Sequence, residues 1–226
     1  FKNVKWPKGI TDEVNALIAQ GVLRVVSIDE VGENDELLPS MLILTKKSDG
    51  RAKARIVACG NFSLFSTKAN CYASVVNKDS WLPLIIYALQ SCMSVCQIDV
   101  KTAYLQTDAK DDDPDRPRTF LKRPWGSEGT PTMPPPKLVW EVHKSIYGLR
   151  TAASAWKNTL ISFLKTKHFK VSNYDDSIMV STVSNVIVLI YVDDLIYLGP
   201  KGEIAKLIAQ LKGKFSCQDE VYLDSG

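Results

Sequence analysis

The sequence predicts an α+β fold, an antiparallel sheet backed by helices, on three observations. Two apolar runs of strand length, Val186 to Val192 and Leu195 to Leu198, flank an adjacent pair of acids, Asp193 and Asp194, as a hairpin would. Three other stretches, around residues 81–92, 152–167 and 204–215, repeat apolar residues at spacings of three and four, the period of a helix packed on a core. From residue 94 onward the order reads strand, helix, strand, strand, strand, helix, which is compatible with an antiparallel sheet backed by helices, an α+β architecture.

The individual elements follow from local chemistry. Thr11 reads as an N-cap, with Asp12 and Glu13 in the first turn of a helix running to Gln20 before Gly21. "MLILTKKSDGRAKARIVACG" reads as a basic hairpin: Leu42 to Leu44, a turn at Asp49 and Gly50, then Ala54 to Cys59. In "DSWLPLIIYALQSCM", Trp81, Leu84, Ile85, Ala88, Leu89 and Cys92 form the core face of a helix with Pro83 in its first turn. "SVCQIDV" is a short strand ending at Asp99. Residues 114 to 136 hold seven prolines, too many for a helix or a central strand, and read as a long loop or extended cover. "LVWEVHKSIYGLR" restores strand character before a helix from Ala152 to Lys167. Ser177 to Ser181 joins the hairpin strands, and a last helix carries Ile204, Leu207, Ile208, Leu211 and Phe215.

At 226 residues and 45% hydrophobic, the chain has enough apolar surface for one substantial core, or a core plus a looser subdomain. A net charge of +3 is too small to mark a nucleic-acid binder, so the distribution of charge decides more than the total. Lys46, Lys47, Arg51, Lys53 and Arg55 make a basic segment, whereas Asp108, Asp111, Asp112, Asp113 and Asp115 make an acidic one. The latter lacks the Gly and the bidentate Glu of a calcium loop, having Arg116 and Lys122 at those places, and reads as a solvated loop. The five cysteines are scattered without zinc spacing and read as reduced thiols. His143 and His168 have no partnered nucleophile or ligand spacing. The longest apolar run falls far short of the ~20 residues of a membrane span, and an abrupt start at Phe1 reads as a piece of something longer.

Asp193 and Asp194 pose the functional question. Two carboxylates ~4 Å apart at an effective dielectric of about 20 repel by roughly 4 kcal/mol, an upper guide for a solvated turn. Turn chemistry alone stays open as an explanation, since Asp is a good turn residue. A third acid, Asp99, ends an apolar strand, and if that strand lies beside the hairpin, three hard oxygen ligands gather at one sheet edge, a donor set that suits Mg²⁺ and phosphate substrates.

The same residues resemble a known family. "YVDD" (191–194), flanked by apolar strands, is similar to the active-site box of reverse transcriptases, and "QIDVKTAYL" (97–105) to the box carrying their first catalytic acid. "KSIYGLRTAASAW" (144–156) and "KARIVACG" (53–60) resemble boxes of the copia-type (Pseudoviridae) long-terminal-repeat retrotransposons. A lone YxDD is weak, but four boxes in the family's order over residues 41–199 are a specific signal.

The resemblance implies a right-hand polymerase fold: fingers at 1–78 and 107–150, a palm at 79–106 and 151–226, the thumb largely absent and no ribonuclease H. It implies an RNA-directed DNA polymerase in which Asp99, Asp193 and Asp194, with the carbonyl of Val100, hold two Mg²⁺, Mn²⁺ being able to substitute. Tyr104 would exclude a 2′-hydroxyl. The amides of Thr102 and Ala103, with Arg55 and Lys46 or Lys47, would meet the triphosphate, and Gly148 would let backbone approach nucleotide or template, its other reading being a turn glycine. The expected partners are an RNA template, a DNA or RNA primer and deoxynucleoside triphosphates, within a larger polyprotein, with no membrane. The implied location is cytoplasmic virus-like particles, with the nucleus as the alternative. Two rivals are a non-catalytic nucleic-acid-binding or assembly module derived from such an element, and another palm-type nucleotidyl transferase such as a nucleotide cyclase.

Overall fold

A computed structural model of the chain describes residues 6–64, 71–108, 117–127, 130 and 132–223. The acidic stretch Asp111 to Asp115 lies outside the described residues. In chain order the first elements are α1 (Trp6–Ala19), β1 (Leu23–Ser27), β2 (Glu36–Leu38), β3 (Ser40–Lys46), β4 (Ala52–Ala58), α2 (Lys78–Gln90) and β5 (Ser94–Asp99). They are followed by β6 (Thr119–Leu121), β7 (Leu138–Val142), α3 (Ala152–Thr166), β8 (Phe169–Val171), β9 (Ile178–Ser181), β10 (Ile187–Tyr191), β11 (Asp194–Gly199), α4 (Lys201–Lys214) and β12 (Val221–Tyr222). The α+β class is therefore observed, and the backbone divides into two compact units, residues 1–71 with 107–155 and residues 72–106 with 156–226.

The first unit holds a four-stranded sheet in the order β1-β7-β6-β2 and the separate hairpin β3–β4. Alternation builds the hairpin: Ala54, Ile56 and Ala58 are buried, Lys53, Arg55 and Val57 are half-buried between them, and α1 packs on β4. Three expectations are corrected here. Helix α1 begins at Trp6, so Thr11 lies inside it and is no cap; Pro7 falls in the first turn, where its missing N–H has no intrahelical acceptor. The proline-rich stretch contains strand β6, whose Phe120 and Leu121 are fully buried between β7 and β2. The sheet also has one parallel pair, β2 with β6.

The second unit is a six-stranded, wholly antiparallel sheet in the order β12-β5-β11-β10-β9-β8. Because side chains alternate, its two faces differ. One face gives Cys96, Ile98, Leu195 and Tyr197 to a core shared with Trp156, Leu160, Phe163 and Leu164 of α3 and Ile204, Ile208 and Leu211 of α4. The other gives Val95, Leu189 and Leu198 to a smaller cluster with Ala88, Leu84, Ile85 and Trp81 of α2. Helix α2 starts three residues earlier than Trp81, behind an Asn77 cap, which puts Pro83 in the second turn. The Asp79 carbonyl that loses a donor there belongs to an exposed residue, where water can reach it. Leu89 and Cys92, expected on the core face, are exposed.

A polar latch ties residues 74–77 to this sheet. Buried Lys157 donates from Nζ to the hydroxyls of Ser74 and Ser177, with Asp176 Oδ1 at 3.0 Å, while the Asn77 N–H donates to Asp175. The Ser74 hydroxyl, then Lys157, hold the Asp176 carboxyl below its ordinary value. A carboxyl whose pKa falls on folding stabilises the native state fully above its unfolded value and loses that contribution as pH falls through the folded one. The urea midpoint is thus expected to hold steady from pH 7 to about 5 and then to fall, less steeply in Asp176→Asn. An identical acid slope in the variant would contradict the latch.

Candidate active site

The β10–β11 hairpin closes on two residues. Tyr191 pairs with Asp194, leaving Val192 and Asp193 as the turn, and Val192 stands at φ 57°. Strand β5 runs antiparallel along β11 with Asp99 directly opposite Asp194 and Gln97 opposite Ile196. Asp99, Asp194 and Gln97 therefore share the face of the sheet that carries α2, whose apolar cluster centres on Val95 and Leu198 farther along the same strands. The Gln97 side-chain amide donates to Asp194 Oδ1 at 3.1 Å, and the Val100 N–H donates to the Asp193 carbonyl at 2.8 Å.

Beyond β5 the chain is stapled to the segment after α4. Val100 bridges to Cys217, the Lys101 N–H donates to the Ser216 carbonyl, and the Gln106 amide donates to the Lys101 and Ser216 carbonyls while its oxygen accepts from the Ser216 N–H. Between these staples, Thr102 takes φ 49°, and Ala103 to Gln106 form a 3₁₀ turn carrying Tyr104. Burial, reinforced by the Asp193 carboxylate, pushes the Tyr104 phenol above its ordinary pKa.

The other expected site residues lie in the first unit. Arg55 sits opposite Ile43 on the hairpin with its guanidinium 5.5 Å from the Tyr147 ring centre, Lys46 ends β3, and the Lys47 N–H donates to the Arg51 carbonyl in the turn. Gly148, at φ 89°, is pressed against β4: a Cβ there would stand 2.0 Å from the Ala58 carbonyl oxygen. That contact accounts for the glycine as a packing requirement of the first unit.

The acids supply hard oxygen donors on neighbouring backbone positions of one sheet end, a donor set suited to Mg²⁺. Among the described residues, no three or more His, Cys, Asp or Glu side chains are already gathered as a metal cluster. Two supporting residues went unnoticed in the sequence, Gln97 and Trp156. Gln97 had a signal, since it stands two residues before Asp99 and so on the same face of a strand. Trp156, whose Nε1–H donates to the Val192 carbonyl at 2.7 Å, had none beyond closing its box.

The sequence profile described as "Reverse transcriptase (RNA-dependent DNA polymerase)" matches residues 24–224. Among curated proteins, the chain is similar to the retrovirus-related Pol polyprotein from transposon TNT 1-94 of Nicotiana tabacum, 28% identical over 94% of this chain. It is likewise similar to that of transposon RE1 of Arabidopsis thaliana, 29% identical over 97%. The transposon Ty1-LR2 Gag-Pol polyprotein of Saccharomyces cerevisiae is 27% identical over 85% of the chain. The alignments cover 16%, 15% and 10% of those three polyproteins, so the chain spans only a small part of each.

Proposed function

Because this chain belongs to the reverse transcriptase (RNA-dependent DNA polymerase) family, we propose that it is the polymerizing part of a copia-type retrotransposon polyprotein, copying RNA into DNA. The observation that carries the reading is the pairing of β5 with β11, which sets Asp99 opposite Asp194 and next to Asp193. We assign the palm to the second unit and the fingers to the first.

In this reading Asp99, Asp193, Asp194 and the Val100 carbonyl would hold two Mg²⁺. When bound, such ions activate an attacking hydroxyl and neutralise the charge that develops on the phosphates. The chain's own residues do the rest. Gln97 fixes the rotamer of Asp194. The Thr102 and Ala103 amides, with Arg55 and Lys46 or Lys47, bind the triphosphate, Arg55 by the bidentate contact its planar fork allows. The primer 3′-hydroxyl attacks the α-phosphate, and pyrophosphate leaves. Primed template is held mainly through its phosphates, so binding weakens steeply with salt.

Extension of a primer annealed to RNA, with Mg²⁺ titrated, tests the function. Incorporation that needs both the annealed primer and the divalent ion is expected, and product formed without a primer would point to a different nucleotidyl transfer. Tyr104 supplies a finer test. We assign it to the exclusion of the 2′-hydroxyl, a reading supported by its match to the family box and by the electrostatic influence of Asp193 on its ring. Tyr104→Ala is expected to raise ribonucleotide incorporation relative to deoxynucleotide by at least about tenfold, roughly 1.4 kcal/mol of lost discrimination. Unchanged sugar preference would remove Tyr104 from that role.

A further inference from the structure

Val192 is β-branched and occupies the left-handed region, in the first position of a two-residue turn where Gly is the favoured residue. A backbone so placed persists only when its surroundings impose it. Here they do so from two directions. The Trp156 indole N–H donates to the Val192 carbonyl at 2.7 Å, and the Val100 N–H donates to the Asp193 carbonyl at 2.8 Å. The peptide groups on both sides of Asp193 are thus each tied to a different element, and the remaining freedom of the acid is in its side-chain torsions. The indole is itself closely packed: 1% exposed, it meets Phe215 edge-to-face at 5.2 Å, and Phe215 meets Phe163 in the same way at 5.5 Å.

We propose that Trp156 is a positioning residue for Asp193, its indole N–H holding the Val192–Asp193 peptide in the one orientation that presents the acid beside Asp99 and Asp194. A ring needed only to fill the core would serve equally as a carbocycle. The proposal rests on the polymerase reading of the acids, but the hydrogen bond and its effect on the turn can be judged without it.

The test replaces the donor and then relieves the turn. Trp156→Phe removes the N–H, and benzothienylalanine at 156 removes it while keeping the bicyclic shape, so a packing defect in the first variant is controlled by the second. In either, hydrogen–deuterium exchange at the Val100 amide, which bonds the same turn, is expected to accelerate at least about tenfold, and the Mg²⁺ needed for half-maximal primer extension to rise about tenfold or more. Adding Val192→Gly, which adopts this φ without a side chain to oppose it, is expected to return both quantities toward those of the unmodified chain. Parent-like exchange at Val100 in the benzothienyl chain overturns the proposal, and so does a rescue variant no better than its parent. If the unmodified chain extends no primer, the polymerase reading fails, and the exchange measurement alone decides for or against Trp156.

Discussion

Asp193→Asn is expected to lower nucleotide incorporation on primed RNA at saturating Mg²⁺ by at least ~10³-fold, about 4 kcal/mol of transition-state stabilisation, while leaving the protein as stable as before or more so. The two effects have separate causes. Asn keeps the size of Asp and is equally at home in a turn, so the pair Tyr191 and Asp194 and the bond from the Val100 N–H to the residue-193 carbonyl stay in place. What changes is one negative charge next to Asp194. Losing it relieves like-charge repulsion in the folded state and removes an oxygen ligand that a divalent ion needs. A residue that served only the turn would show the same relief of repulsion but no loss of activity. Incorporation rates and urea midpoints measured on the same preparations separate the cases, and equal incorporation by variant and parent would show that Asp193 takes no part in catalysis.

Gly148→Ala is expected to cost about 3–4 kcal/mol of stability, or to prevent folding of the first unit. A non-glycine residue at φ 89° costs roughly 1–2 kcal/mol by itself. The added Cβ would also stand 2.0 Å from the Ala58 carbonyl oxygen and 2.5 Å from Val57 Cγ1, contacts that only a retreat of β4 relieves. That retreat breaks the bonds from the Ala58 N–H to the Tyr147 carbonyl and from the Gly60 N–H to the Gly148 carbonyl, each worth about 1 kcal/mol. Since β4 also carries Arg55, the damage would reach a residue assigned to the triphosphate. Urea unfolding of Gly148→Ala measures this, and a midpoint equal to that of the unmodified chain would contradict the close packing against β4.

Much of the second unit was legible in the sequence because its signals are local. The run from Val186 to Leu198 is apolar except for two adjacent acids and could form little but a hairpin, although the turn falls at Val192 and Asp193, one residue before the acid pair expected to make it, and Asp194 opens β11. The helical spacing of Ile204, Leu207, Ile208 and Leu211 required a buried face. Strand β6 was not legible, since prolines on both sides argued against a sheet. The strand is only three residues long, and Pro117 and Pro124 stand outside it. For the site, the three acids could be named singly, but their meeting depends on the register of β5 against β11, and nothing within either strand specifies which neighbour it takes. Trp156 lay beyond pattern reading altogether. Its periodicity marks it as a core residue of α3, and its hydrogen bond crosses 36 positions to a carbonyl that no side-chain pattern reveals.

The measurement that bears most directly on the polymerase reading is single-nucleotide addition to a primer annealed on RNA, with pyrophosphate counted alongside extended primer, for the unmodified chain and for Asp99→Asn. In-line nucleotidyl transfer at these acids predicts one pyrophosphate per nucleotide added, in the unmodified chain only and only with a divalent ion present. A folded chain that binds primed RNA yet releases no pyrophosphate, or an Asp99→Asn variant that matches it turnover for turnover, would contradict the assignment.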